Sequence, residues 1–155
     1  YTTLVKVLDC PNLAVSFEQQ EGWRVQPDYG IAIGYHYLGG QFNTPWPPVA
    51  RITETWISPQ KATGNPTLPL VADLNIYAYS YQRILAPHTA RGPVIRDESY
   101  FEQQPLAYQQ TPGSIGASGG NVGLVDGSVS WKSFSRMKSY RSSQLWDADG
   151  SFGSW

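Results

Sequence analysis

Apolar and polar residues alternate most cleanly between Gly119 and Phe134, GGNVGLVDGSVSWKSF. Asp126-Gly127 at its centre suits a two-residue turn, because both residue types tolerate the positive φ that a type I′ turn requires. Folding about that turn sets Leu124 opposite Val129 and Val122 opposite Trp131. Val122, Leu124, Val129 and Trp131 then share one face of a β-hairpin, with Gly123, Val125, Ser128, Ser130 and Lys132 mostly on the other. A slip of one residue would expose the apolar set, so the pattern predicts this single register.

The same reading places further elements along the chain. Thr3 to Asp9 has a strand composition and stops at Cys10-Pro11, since proline ends helix and central strand alike. Leu13 to Pro27 reads as a strand and a loop. Tyr29 to Gly40 alternates Ile31, Ile33, Tyr35 and Tyr37 against Ala32, Gly34 and His36, which predicts a strand with His36 on its less apolar side. Gln41 to Pro48 is a proline loop, and Val49 to Ile57 fits either a short helix or a strand. Leu70 to Asp73 is expected as a short buried strand. Ile76 to Leu85 alternates Tyr77, Tyr79 and Tyr81 against Ile76, Ala78 and Ser80 and reads as a strand or the start of a long excursion. Pro87 to Gly116 reads as an extended polar insertion with a short helix near Glu98 to Gln104, and Ser133 to Tyr140 as a helical turn. The tail from Ser143 is rich in Gly and Ser.

The 155 residues suffice for a single domain, 1–155, with its own core. Charged residues make up 15% and the net charge is −1, so no basic surface recommends nucleic acid or an anionic membrane as a partner. The one cysteine, Cys10, excludes an internal disulfide and a cysteine metal cluster. It reads as a small buried residue, since a nucleophile needs a neighbouring base that the sequence does not supply. No window is long and apolar enough to span a bilayer. The chain starts at Tyr1 without Met, which suggests that an upstream segment has been removed.

Catalytic signatures are missing: there is no nucleophile elbow, phosphate loop, dinucleotide fingerprint or zinc-protease motif. The adjacent carboxylates Asp97-Glu98 do not face each other across a cleft, as glycosidase chemistry demands. His36 and His88 read as satisfied or surface residues, Asp126 as turn chemistry and Asp73 as a strand-end cap. Asp147, Asp149 and Ser151 offer alternating oxygens in a glycine-containing turn and are the candidate Ca²⁺ ligands. The 6 Trp and 10 Tyr suit a β-rich exported domain, and they also suit sugar stacking by Trp46, Trp146, Trp155 and the Tyr77-Tyr79-Tyr81 row.

GGNVGLVDGSVSW resembles the C-terminal signature of the type IV pilin-like and pseudopilin-like proteins known by an H-X9-DG motif. Asp126-Gly127, Gly119-Gly120-Asn121-Val122 and Trp131 match, while Gly116 stands where that motif has its His. VLDCPN, YGIAIGYHYLGG and NPTLPLVAD resemble three further landmarks of the group, in the same order along nearly the whole chain. The resemblance implies an α+β fold: an antiparallel β-sheet-rich pilin-like head domain with long irregular loops, lacking its N-terminal helix. Val122, Leu124, Val129 and Trp131 would form the face that packs on that helix or on a partner. It also implies a non-enzymatic assembly subunit of a pilus-like or type II secretion pseudopilus-like filament. That subunit is exported to the cell envelope, surface or periplasm, touches other pilin-like subunits, and meets the membrane only through the absent helix. A calcium loop near the C-terminus is a feature of major pseudopilins, which adds to the case for the tail site. The alternative is an extracellular carbohydrate- or ligand-binding module.

Overall fold

A computed structural model describes residues 10–13, 25–26, 30–31, 33–42, 44–46, 52, 54–78, 83–104, 110–142 and 151–155. They are mostly antiparallel β-sheet with little helix. In chain order the elements are β1 (Val25–Gln26), β2 (Gly30–Ile31), β3 (Tyr35–Tyr37), β4 (Pro69–Asp73), β5 (Ile76–Ala78), β6 (Arg83–Ala86), β7 (Val94–Arg96), α1 (Glu98–Gln103), β8 (Gly119–Leu124), β9 (Val129–Ser133), a 3₁₀ turn at Phe134–Arg136, β10 (Ser139–Arg141) and β11 (Ser151–Ser154). β3-β4-β8-β9 form a four-stranded sheet and β10-β11-β5-β6-β7 a five-stranded one, beside the short pair β1-β2.

The two large sheets meet where β4 runs into β5 across Leu74 and Asn75. Asn75 is fully buried and acts as a pin at this corner. Its backbone N–H donates to the Asp73 carbonyl at 2.8 Å, its carbonyl accepts from Ser154 N–H at 2.9 Å, and its side-chain amide donates to the Gly119 carbonyl at 3.2 Å. One residue thereby ties β4, β8 and β11 together.

Both faces of the five-stranded sheet are covered. Tyr77, Ile84 and Phe152 pack with Ile52 and Phe101 on one side, and Leu74, Ile76 and Leu85 pack on the other. That explains why IYA and RILA read as nearly continuous apolar runs. The four-stranded sheet packs one face on a core, where Ala72 and Val122 meet Leu38, Trp46, Trp56 and Trp155.

The hairpin at 119–134 is present, but its register differs by one from the sequence expectation. Val122 lies opposite Ser130, Gly123 opposite Val129 and Asn121 opposite Trp131. The loop holds three residues, Val125, Asp126 and Gly127, and only Gly127 takes the left-handed conformation, at φ +84. This is the type I turn with a bulge glycine, which Asp-Gly satisfies as readily as the two-residue form. The choice is made outside the hairpin: Val125 N–H donates to the Leu68 carbonyl and Asp126 N–H to that of Pro66, which holds both residues against the approach to β4. The predicted apolar face is therefore divided. Val122 is buried and Leu124 packs on the core, whereas Val129 and Trp131 point to the outside.

Other expectations fare unevenly. The strand at Leu70 to Asp73, the short helix after Asp97 and the helical turn near Phe134 are all present. Ile76 to Leu85 divides into β5 and β6, which pair as antiparallel neighbours. The supposed polar insertion contributes β7 to a sheet. The Gly- and Ser-rich tail holds β11, which lies between β10 and β5. Ser151 is accordingly buried in a strand opposite Ala78, not in the loop a Ca²⁺ ligand would need; Asp147 and Asp149 lie outside the described residues. Thr3 to Asp9 and nearly all of Leu13 to Pro27 also lie outside them.

His36 reverses its expected orientation. It is on the core side of β3, 1% exposed, with its ring 5.1 Å from that of Trp155 and Nε2 3.3 Å from the Asn75 carbonyl, while Tyr37 faces out. Burial pushes its pKa down to about 4, against smaller upward pulls from the Asn75 carbonyl and the Asp73 charge. Between pH 6.5 and 4 the unfolded chain takes a proton at His36 that the folded chain refuses. Stability is thus complete above pH 6.5 and falls by about 3 kcal/mol as the pH drops to 4. Urea unfolding at pH 7 and pH 4.5 checks this: His36→Phe should flatten the acid-side loss relative to the wild type, whatever its absolute stability.

Candidate functional site

The outward face of the four-stranded sheet carries two lateral rows, which follow from strand register. Tyr37, Val71, Gly123 and Val129 form one; Tyr35, Asp73, Asn121 and Trp131 form the next. A pocket of about 430 Å³ opens on this face. Cys10, Asn12, Asp73, His88, Asn121 and Val129 are among the residues that line it.

Asp73 is the last residue of β4 and sits 4% exposed. Its Oδ2 accepts the backbone N–H of Asn121 at 2.7 Å, the Asn121 side-chain amide at 3.0 Å and His88 Nε2 at 2.8 Å. Such charge-assisted bonds fix a carboxylate in place. Gly120 makes this approach possible. A Cβ on Gly120 would come within 3.0 Å of the Asp73 Cβ and of the Asn75 amide nitrogen. Gly120 of the sequence motif thus leaves the space into which Asp73 fits.

His88 follows β6 and Pro87. Its carbonyl accepts the backbone N–H of Ser118 at 2.8 Å and the Ser118 hydroxyl at 2.9 Å, which anchors the loop beside β8. Its ring stands edge-on to Trp131 at 5.1 Å, and its Nδ1 lies 3.1 Å from the Asn12 amide nitrogen. Cys10 is 4% exposed and closes the cluster: one ligand atom each from Cys10, Asp73 and His88 lie within 4.8 Å of one another.

Sequence reasoning passed over this constellation. Taken singly, Cys10 has no base near it in sequence, His88 fits a satisfied or surface residue and Asp73 fits a strand-end cap. No spacing motif unites them, because the three come from separate segments that only the sheet corner brings together. The available signal was indirect: Cys-Pro, the apolar run ending in Asp73, and Gly-Gly-Asn were each singled out as landmarks, and all three converge here. Gly116, at the His position of the motif, adopts φ +97, and it is His88 that reaches the neighbourhood of Asn121 and Trp131. Of the residues proposed for sugar stacking, Trp46, Trp155 and Tyr77 are buried at 1%, 2% and 6% exposure; Trp146, Tyr79 and Tyr81 lie outside the described residues. Asp126 does serve its turn, its Oδ1 accepting the Ser128 N–H at 2.8 Å.

No family model matches the chain, and no curated protein or solved structure matches it either.

Proposed function

We propose that this chain is the pilin-like head of an assembly subunit in a type IV pilus-like or type II secretion pseudopilus-like filament, exported and held at the cell envelope. The observation that carries this reading is the outward face of the four-stranded sheet. Tyr37, Val129 and Trp131 stand 52%, 66% and 50% exposed on it, although the opposite face is fully engaged with the core. An antiparallel sheet with one solvated face normally shows polar residues there, and a contiguous apolar patch fits a partner surface. The occupant we assign is an apolar helix of the filament, as the resemblance to pilin-like proteins implies. Cys10 and Pro11, part of the VLDCPN landmark, line the pocket on this same face. Contacts of this kind are heterologous and open-ended, and they require no catalysis.

The test places a photo-crosslinking benzophenone side chain at Val129 in the full gene product and irradiates intact cells, so that each subunit can join the helix of the next. The irradiated wild type, which carries no crosslinker, serves as the control. The expected result is a ladder of multimers in the envelope fraction of the variant only. A lone monomer band in a soluble fraction overturns the reading. Trp131, half exposed beside the pocket, keeps a sugar-binding alternative in view; glycan-array binding lost in Trp131→Ala would favour it.

A further inference from the structure

We propose that Cys10, Asp73 and His88 bind a divalent transition-metal ion of the zinc class, in a site open to the pocket. The proposal is independent of whether the chain joins a filament. A thiolate, an imidazole and a carboxylate form a mixed S/N/O donor set that suits Zn²⁺ or Co²⁺. Ca²⁺ and Mg²⁺ take oxygen donors instead.

Geometry agrees with the chemistry. Bonds of about 2.0–2.3 Å in a tetrahedral site hold donor atoms roughly 3.3–3.6 Å apart. The three donors already converge within 4.8 Å, so shifts on the order of an ångström close the site. Cys10 and Asp73 are buried, and the His88 side chain is 16% exposed, so little water competes for the ligands.

The surrounding groups are placed as supports for ligands. Asn121 donates twice to Asp73 Oδ2 and orients the carboxylate. The Asn12 amide sits on His88 Nδ1, leaving Nε2 directed at the carboxylate. With a metal on Nε2, Nδ1 carries the proton, and the Asn12 amide turned by half a rotation presents its oxygen as acceptor. A nucleophile–base–carboxylate relay is less well served. It needs one imidazole nitrogen on the acid and the other on the sulfur, whereas the two nitrogens of His88 meet Asp73 and Asn12. Three protein ligands leave a fourth position facing the pocket, the arrangement of sites that take water or a ligand group onto the metal.

Cobalt titration of the purified chain tests the site. Cys10 is the only thiol, so a thiolate-to-Co²⁺ charge-transfer band can arise only from it. The expected result is one equivalent of Co²⁺ producing that band together with tetrahedral ligand-field absorption, both displaced by Zn²⁺. Cys10→Ser should abolish the band, and His88→Gln should weaken Co²⁺ binding by roughly a hundred-fold or more, with circular dichroism unchanged. Asn121→Ala should weaken it by about ten- to a hundred-fold, as expected for a support of a ligand. Absence of the band from folded wild-type protein at millimolar Co²⁺ overturns the proposal. So does unchanged affinity in both His88→Gln and Asp73→Asn.

Discussion

Trp155→Ala is expected to lower the unfolding free energy by about 3–5 kcal/mol, the range for deleting a large buried aromatic. Trp155 is 2% exposed and sits between the two large sheets. It stacks on Tyr140 at 4.7 Å, meets Trp56 edge-on at 5.5 Å and touches the His36 ring at 5.1 Å. Its backbone is paired both ways with Lys138, so the strand end cannot swing in to fill the hole. A domain of ordinary stability holds roughly 5–15 kcal/mol in total, so this one substitution removes a large share. Urea denaturation followed by far-ultraviolet circular dichroism measures the loss. A change below about 1 kcal/mol would show that the tryptophan cluster is not the centre of the core.

Gly119→Ala is the second large effect, expected at about 3 kcal/mol or more. Gly119 adopts φ +150, a conformation in which L residues are strained by about 1–3 kcal/mol. A Cβ there would also collide with the Lys132 carbonyl of the paired strand and stand 3.0 Å from the Trp131 ring. Neither neighbour yields cheaply, since one is backbone in the β8–β9 ladder. The matching control is Gly127→Ala at the turn. Gly127 has φ +84 with nothing within 4 Å of the added carbon, so only the backbone cost of about 1–2 kcal/mol remains. If the two substitutions cost the same, close strand approach at Gly119 is not what requires glycine. Because Gly119 also accepts the Asn75 amide, its alanine variant should disturb the corner that holds Asp73 as well.

The pocket shows why chemistry was harder to read than strands. Cys10, Asp73 and His88 each have an ordinary explanation when taken singly, and their sequence separations match no ligand motif. What joins them is a sheet corner built by Leu74 and Asn75, together with one glycine, Gly120, small enough for the Asp73 carboxylate to reach Asn121. Local patterns carry no information about such meetings.

Local chemistry alone determined that a hairpin would form at 119–134, that Leu70 to Asp73 would be a strand, and that short helical turns would follow Asp97 and Ser133. These depend on alternation and turn residues within a few positions of one another. Tertiary structure decided the rest. The hairpin register was set by hydrogen bonds from Val125 and Asp126 to Leu68 and Pro66, far away in sequence. His36 turned inward because Trp155 and the Asn75 carbonyl were waiting there. The tail became a strand because its small residues fit a crowded slot: a Cβ on Gly153 would strike the rings of His36 and Trp155. A short segment that looks polar and flexible by itself is ordered when neighbouring strands satisfy its backbone and large side chains from elsewhere fill the space it leaves.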